Sequence, residues 1–196
     1  MKVLIGCEES GIVRDAFLAN GHDAYSCDLL YRDHKRHITG DIMDILAGGW
    51  DLIILHPPCT ALAVSGNAHY GIGKPKYCER IAAIEWTERL YSLAIGHCEF
   101  VALENPVGVL PRKATQYIQP WYFGHSESKK TGLWLHGLPC LSPTMVMDKP
   151  ERGYWDNQTP SGQNNLGPSP DRQRIRSQTY AGIAQAMADQ WGGICE

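Results

Sequence analysis

The segment that most constrains this fold is an apolar strand that ends at two consecutive prolines and is followed at once by a cysteine. Leu52–Leu55 is an uninterrupted apolar run of strand length, and Pro57 and Pro58 have no amide hydrogen to give to a sheet. Each proline also fixes its own φ and restricts the residue before it. We therefore expect the strand to end near His56. Cys59 should then lie on a stiff loop at the carboxyl edge of the sheet, where open α/β sheets bind ligands.

The thiol of Cys59 is open to two interpretations. Held rigidly at a ligand-binding edge, it could act as the nucleophile of a covalent mechanism. Cysteine is also among the most buried residue types, and it often serves only as a small apolar side chain. The cysteine alone does not decide between these roles, and the residues at the other strand ends are needed to distinguish them.

The composition is that of an ordinary globular protein. A chain of 196 residues can bury one complete core, and we expect a single domain over residues 1–196. No apolar run approaches the roughly 20 residues that span a bilayer, and a strand pattern begins directly after Met1. We therefore expect a cytoplasmic protein with no membrane partner. The formal net charge of −3 provides no overall basic field, so nucleic-acid binding would need a local patch.

The cysteines indicate reduced thiols and no metal site. They number seven, they are widely spaced, and no Cys-x-x-Cys or close Cys/His pair occurs among them. We therefore expect no structural zinc. The positions are Cys7, Cys27, Cys59, Cys78, Cys98, Cys140 and Cys195.

Strand and helix patterns alternate through the first half of the chain. Short apolar runs predict strands, and two stretches with a helical apolar period predict helices. This order predicts an α/β fold with a doubly wound, mostly parallel, Rossmann-like sheet that is covered by helices on both faces. The predicted strands are Lys2–Ile5, Ala24–Cys27, Arg36–Thr39, Leu52–Leu55 and Glu99–Leu103, and the predicted helices are Gly11–Leu18 and Glu79–Ile95.

The second half predicts a sheet edge, a loop and a final helix. Trp121–Phe123 and Leu133–Leu135 are short strand candidates for an antiparallel edge. Residues 139–170 are rich in Pro, Gly, Asn, Ser and Asp and predict a long irregular loop. Ser177–Trp191 has apolar residues at helical spacing and predicts the last helix.

The turn after the first strand is acidic. Its sequence is Gly6-Cys7-Glu8-Glu9-Ser10-Gly11. Glycines let a ligand approach the backbone, and the amides of the following helix point toward it. Two acids would repel a pyrophosphate, and they favour a cofactor with a positive centre and an amino group.

Two further acids end the next two strands. Asp28 is placed where dinucleotide folds carry a ribose-binding acid, or it forms a local turn. Asp41 could hold an adenine amino group, or it caps a short helix that we predict over Ile42–Leu46. Together with the acidic turn, these residues indicate an adenosine site without a phosphate.

Glu104 directly follows the fifth predicted strand, in the sequence Glu104-Asn105-Pro106. The fourth and fifth strands are neighbours in a sheet of this kind, so we expect Glu104 beside Cys59. A carboxylate opposes thiolate formation, but it can also bind or protonate a substrate.

These motifs, in this order, resemble those of the S-adenosylmethionine-dependent cytosine-5 DNA methyltransferases. The likeness is most specific at Pro57-Pro58-Cys59 and Glu104-Asn105, which resemble the family's Pro-Pro-Cys and Glu-Asn-Val motifs. The resemblance covers most of the chain and implies a sheet of the class I methyltransferase type. The weaker matches are the turn from Gly6 to Gly11, Asp28 and Gly40-Asp41-Ile42 with the cofactor motifs, Phe123 to Leu135 with a degraded Gln-x-Arg-x-Arg strand, and Ser177–Trp191 with the C-terminal helix.

The resemblance implies a covalent mechanism on cytosine. Cys59 would attack carbon 6, and Glu104 would bind or protonate nitrogen 3 and the exocyclic amine. Carbon 5 would then take the methyl group of S-adenosylmethionine. The implied cofactor contacts are Gly6, Cys7, Glu8, Glu9, Ser10, Gly11, Asp28, Asp41, Ile42 and Pro57, and the implied substrate contacts are Pro58, Asn105, Lys129, Lys130, Arg172, Arg174 and Arg176.

The family's substrate-binding arginines are missing from this chain. Aligning the Phe123-Gly124 pair places Glu127, Lys129 and Thr131 where the family has Gln, Arg and Arg. Lys129 or its neighbour Lys130 would supply the cation, although lysine does not reproduce a bidentate guanidinium. Alternatively, both lysines belong to a solvated basic turn.

The family's target-recognition domain is also missing. Residues 139–170 stand in its place, as in small phage-encoded relatives, for which the compartment would be the host cytoplasm. After them Arg172, Arg174 and Arg176 alternate along what we predict to be a loop. Such a loop suits phosphate contacts, either to a DNA backbone or to a single nucleotide, or it is a plain exposed segment.

We therefore expect an enzyme that methylates cytosine in DNA, and we keep two alternatives. The substrate could be a free nucleotide such as dCMP or dCTP, which needs no base flipping. The chain could instead be a non-catalytic nucleotide- or DNA-binding protein on the same fold, which would need neither Cys59 nor Glu104. A separate recognition subunit or a homodimer could supply DNA reading.

Overall fold

The computed structural model describes residues 1–194, so Cys195 lies outside the described residues. Within this range seven strands form one sheet. The strands are β1 Lys2–Gly6, β2 Asp23–Asp28, β3 His37–Thr39, β4 Leu52–Leu55, β5 Val101–Pro106, β6 Gln116–Ile118 and β7 Thr131–His136. The helices are α1 Ile12–Ala19, α2 Asn67–Tyr70, α3 Tyr77–His97, α4 Arg172–Ser177 and α5 Ala181–Trp191, with 3-10 turns at Ile42–Asp44, Val64–Gly66 and Pro120–Tyr122.

The strand order is β3-β2-β1-β4-β5-β7-β6. The five strands from β3 to β5 run parallel, and β7 is antiparallel to both β5 and β6. The order reverses between β1 and β4, where doubly wound sheets open a crevice for ligands. The prediction of a mostly parallel α/β sheet with an antiparallel edge is therefore confirmed, and the sheet is compatible with a Rossmann-like fold.

The sheet is buried on both faces, which explains why its central strands are continuously apolar. On one face Ile54 packs with Phe17 of α1 and Trp191 of α5. On the other face Ile53 packs with Leu90 of α3. Among the described residues, we find no helix with the length and apolarity needed to cross a bilayer.

The end of β5 differs from the prediction. The strand was expected to stop at Leu103, but it continues through the Glu104-Asn105-Pro106 sequence. The cause is its antiparallel partner, because Glu104 pairs with Leu133 of β7 in the sheet register. Pairing with a distant strand, which the local sequence does not show, overrides the local stop signal. Glu104 is therefore held by a strand and not by a loop.

Two other expectations about the second half are wrong. Trp121–Phe123 is not a strand, because Pro120 begins a 3-10 turn over Pro120–Tyr122, and the edge strand is β6 instead. The last predicted helix, Ser177–Trp191, is present as α5 but begins only at Ala181, because Ser177 ends the separate helix α4. Residues 139–170 contain no helix and no regular strand, as expected.

Candidate functional site

The turn between β1 and α1 is tightly packed. A Cβ atom on Gly6 would lie 2.7 Å from Ile42 Cδ1, and Gly11 has a φ of 75°, which favours glycine. Cys7 also adopts a positive φ, 59°, where side chains other than glycine are uncommon. This backbone brings the turn close to the residues that follow β3.

Glu8 differs from its expected role. Its carboxylate is buried and accepts hydrogen bonds from the Val13 amide at 2.7 Å, the Arg14 amide at 3.4 Å and the Ser10 hydroxyl at 3.2 Å. A negative group at this place satisfies the free amides of α1 and interacts favourably with the helix dipole. The geometry thus assigns Glu8 and Ser10 to the start of α1, which corrects the expectation that Glu8 faces a cofactor.

A cavity of about 380 Å³ opens at the carboxyl edge of β1, β2 and β3. It contains five of the residues predicted to bind cofactor or substrate, namely Cys7, Asp28, Asp41, Ile42 and Pro58. The remaining wall is mostly apolar and includes Trp86 of α3, which sequence reasoning missed. The full lining is Cys7, Cys27, Asp28, Leu29, Gly40, Asp41, Ile42, Pro58, Ala83, Trp86 and Thr87.

Both acids of the cavity also make the local contacts that were considered as alternatives. Asp28 Oδ1 accepts a hydrogen bond from the Leu30 amide at 2.9 Å. Asp41 Oδ1 accepts one from the Met43 amide at 2.9 Å and caps the turn Ile42–Asp44. These bonds fix each carboxylate at the cavity wall, so the local role and a ligand-binding role are compatible.

The field inside this cavity is negative. Burial and, after it, the charges of Asp28 and Asp41 together raise the pKa of Cys7 to about 12. Burial and the same two carboxylates raise the pKa of Cys27 to about 11. A ligand with hydroxyl or amino donors, or with a positive charge, would be favoured there. Glu9 lies outside this group and pairs with Arg32 at 2.5 Å.

The loop that carries Cys59 is fixed from two sides. Asn105 of β5 donates from Nδ2 to the Pro57 carbonyl at 3.0 Å, and its side chain is buried. After Cys59 the chain turns back, since the Cys59 carbonyl accepts from the Leu62 and Ala63 amides at 3.1 Å and 2.9 Å. The expectation of a stiff loop rested on the prolines alone, and Asn105 adds a buried hydrogen bond.

Arg80 of α3 holds the next part of the loop. This buried guanidinium donates to the Ala61 carbonyl at 2.7 Å, the Ala63 carbonyl at 3.2 Å and the Asn67 side chain at 2.7 Å. Burying an arginine is favourable only when its donors are bonded. Sequence reasoning missed Arg80, because a cation in a polar helix is usually exposed.

Glu104 makes a polar contact with His56 near the carboxyl ends of β4 and β5. Its side chain is 12 % exposed, and its Oε2 is 3.1 Å from Nδ1 of His56. Burial would raise the pKa of Glu104, but the hydrogen bond from His56, the charge of Lys129 and the Thr131 hydroxyl outweigh it, so the pKa lies below its usual range. Glu104 is therefore a carboxylate near neutral pH.

Cys59 has the opposite character. Burial raises the pKa of its thiol, and the charge of Glu104 raises it too. Lys129 and Arg176 lower the pKa, but they do not offset the burial. Cys59 and Glu104 are close together, as expected. The site therefore holds the neutral thiol of Cys59 beside the carboxylate of Glu104.

The predicted cations separate into two groups. Lys129 and Arg176 lie close enough to act on Cys59, and Lys129 Nζ also donates to the carbonyls of Arg176 at 2.9 Å and Gln178 at 3.3 Å. Lys130 instead lies over the ring of Tyr117, with its Nζ 4.7 Å from the centroid. Lys129 thus joins the start of β7 to the end of α4.

The three arginines lie on the short helix α4 rather than on the predicted loop. Arg172 and Arg176 are four residues apart and share one side of that helix, whereas Arg174 points away from them. Arg174 is exposed and pairs with Asp171 at 3.3 Å. The structure thus brings Arg176 to the site but not Arg174.

Within residues 1–194, no group of three or more histidine, cysteine, aspartate or glutamate side chains could hold a metal ion. A comparison of the chain with known protein families finds no match. A comparison with curated proteins also finds none.

Proposed function

We propose that this chain is an S-adenosylmethionine-dependent methyltransferase that modifies carbon 5 of cytosine in DNA through a covalent bond to Cys59. The observation that carries the proposal is the continuity of the site. Pro58 lines the acidic cavity, and the next residue, Cys59, lies beside the buried carboxylate of Glu104. A bound cofactor and a cysteine nucleophile would therefore meet across one short loop.

The sheet supports this proposal. Its strand order, with β7 antiparallel between β5 and β6, is the order expected for the class I methyltransferase fold that the sequence resembles. In such a sheet the ligand lies outside the carboxyl ends of the strands, near the switch point. The cavity and Cys59 are both at this edge.

The cavity has the chemistry that S-adenosylmethionine needs. Its wall is largely apolar, which suits an adenine ring, and Asp28 and Asp41 can accept hydrogen bonds from a ribose and an amino group. Its negative field suits a sulfonium and disfavours a phosphate. When bound, the cofactor supplies an electrophilic methyl group.

The protonation states of Cys59 and Glu104 determine how protons move during the covalent step. As Sγ of Cys59 bonds to carbon 6 of the base, the thiol proton moves to the carboxylate of Glu104 and from there to ring nitrogen 3. The carbon 5–carbon 6 double bond opens, and carbon 5 becomes the nucleophile for the methyl group. Water takes the carbon 5 proton, the carbon–sulfur bond breaks with Cys59 leaving as a thiolate, and the proton on nitrogen 3 returns through Glu104 to that thiolate, which restores the ring and the thiol. Glu104 thus stabilises the charge that develops on the base.

A free cytosine nucleotide is the second candidate substrate, and the small number of cations near Cys59 supports it. Among the arginines of α4, the described contacts bring only Arg176 close enough to act on Cys59. One guanidinium and Lys129 suffice for one phosphate group. A DNA backbone would engage further cations, such as the half-buried Arg172, which lies four residues before Arg176 on the same side of α4.

The test is transfer of a labelled methyl group to duplex DNA, single-stranded DNA and dCMP, measured side by side. We expect transfer to DNA. Cys59→Ser should abolish it while leaving cofactor binding almost unchanged, because a hydroxyl is a far poorer nucleophile than a thiolate. Cys78→Ser, on an exposed cysteine of α3, is the matched control.

A substrate that contains 5-fluorocytosine should trap a covalent adduct on Cys59. Normal turnover by Cys59→Ser would refute the covalent mechanism. The absence of transfer to all three substrates would refute the proposed function, whereas efficient transfer to dCMP alone would replace DNA by the nucleotide.

A further inference from the structure

His56 is a buried residue in contact with the proposed catalytic carboxylate. Its side chain is 7 % exposed, and its Nδ1 lies 3.1 Å from Glu104 Oε2. The last paired residues of the two neighbouring strands are Leu55 and Leu103, so His56 and Glu104 follow at the same level. Its backbone amide also donates to the Gly6 carbonyl at 2.9 Å, which extends the pairing of β1 with β4. The imidazole is therefore held by the centre of the sheet.

The contact has a defined direction. A carboxylate only accepts hydrogen bonds, so the hydrogen must lie on Nδ1 of His56. The other ring nitrogen, Nε2, is buried and has no partner among the described residues. A buried polar atom without a partner is unfavourable. The contact with Glu104 is thus the one side-chain hydrogen bond that the described residues offer this ring.

The other neutral donor near Glu104 is shared. The Thr131 hydroxyl lies near enough to the carboxylate to help lower the pKa of Glu104. Its hydroxyl also lies 3.0 Å from the Lys129 carbonyl. Because a hydroxyl has a single hydrogen, it cannot donate to both acceptors at once. The positive charge of Lys129 attracts the carboxylate but does not fix its rotation. His56 is therefore the donor that can set the orientation of the Glu104 carboxylate.

Resting on the function proposed above, we infer that His56 is a positioning residue that holds the carboxylate of Glu104 through Oε2, so that Oε1 faces the base. The reacting carboxylate would otherwise be free to rotate about its terminal torsion, which is a soft one. A misplacement of about 1 Å in a reacting group can cost about 10²-fold in rate. His56 carries no proton to the substrate in this scheme.

Three variants of His56 separate the two ring nitrogens. His56→Asn keeps an amide donor close to the position of Nδ1 and removes the unpaired Nε2. His56→Gln places its amide near the position of Nε2, and His56→Leu keeps bulk without a donor. We expect His56→Asn to retain kcat within about tenfold and the other two to lose about 10²-fold, with little change in KM or in thermal stability.

A second measurement does not depend on activity. The pKa of Glu104 can be followed by carbon-13 NMR of protein labelled at the glutamate carboxyl. Loss of the donor in His56→Leu should raise this pKa, and His56→Asn should keep it closer to the parent value. Glu104→Gln identifies the Glu104 signal by its loss, and Glu79→Gln, on an exposed residue of α3, is the matched control.

The outcomes are distinct. If folded His56→Leu and His56→Asn have the same kcat, or if the pKa of Glu104 is equal in both, the inference is wrong. Equal loss of kcat in both would assign a proton-transfer role to the imidazole instead. If the parent protein transfers no methyl group, the proposed function fails, and the NMR measurement alone decides whether His56 holds Glu104.

Discussion

Replacing Glu104 by glutamine is expected to change two properties of the site in opposite directions. The negative charge of Glu104 raises the pKa of the Cys59 thiol, so its removal should lower that pKa and make the thiol more reactive. The same change removes the group that receives the thiol proton and stabilises the charged ring. Cys59 should therefore become a better nucleophile toward small probes while methyl transfer is lost.

The size of the first effect follows from the charges around Cys59. The charge of Glu104 raises the pKa of Cys59, and the opposing charges of Lys129 and Arg176 remain in place in the variant. Each unit by which a thiol pKa falls, about 1.4 kcal/mol, gives about ten times more thiolate at a pH below the pKa. The intrinsic nucleophilicity falls with a Brønsted coefficient of about 0.4–0.5, so exchange with a disulfide should become about threefold faster for each such unit. Methyl transfer should fall by about 10²-fold or more.

The assay is exchange with a small aromatic disulfide at pH 7, with the modified residue identified by mass spectrometry. Identification is needed because Cys78 and Cys140 are exposed and will also react. Glu79→Gln serves as the control for charge removal far from the site. An unchanged or slower reaction of Cys59 in Glu104→Gln would refute the electrostatic argument, and retained methyl transfer would refute the proposed role of Glu104.

Three further results are expected. Asp28→Asn should weaken binding of S-adenosylmethionine by about 10- to 100-fold in calorimetry, since hydrogen bonds to a charged group contribute about 1.5–3 kcal/mol. Lys129→Met should raise the pKa of Cys59 above its already elevated value, which appears as slower disulfide exchange at pH 8, because Lys129 lowers that pKa in the parent. Arg176→Gln should flatten the salt dependence of DNA binding, and Arg174→Gln should not.

The parallel part of the fold could be predicted because its signals are local. Each central strand is an apolar run bounded by turn residues, and alternation with helices leaves few topologies for such a sheet. The nearness of Cys59 and Glu104 follows from the same reasoning, since β4 and β5 are neighbours. Predictions of this kind need no knowledge of distant partners.

The missed features depend on distant partners. Glu104 remains in a strand because β7, which follows β6 in the chain, pairs with it, and Pro106 does not prevent this pairing at the end of the strand. Glu8 was expected to face a ligand. Its position just before the first turn of α1, where a carboxylate can accept hydrogen bonds from free amides, indicated a capping role instead. His56 could have been found from its register, one residue beyond β4 as Glu104 is one residue beyond Leu103.

The side of α4 that faces the site decides how the substrate question can be answered. Arg172 and Arg176 share that side, while Arg174 lies on the other side of α4 and pairs with Asp171, so the three arginines are not equivalent. If a DNA backbone runs past α4, each lost phosphate contact should reduce the slope of log K against log salt by about 0.9 for a duplex. Arg174→Gln is then a control of equal charge change. If the salt slope falls equally in Arg174→Gln and Arg176→Gln, the DNA lies elsewhere. A slope near zero in the parent protein, together with activity on dCMP, would identify a nucleotide enzyme.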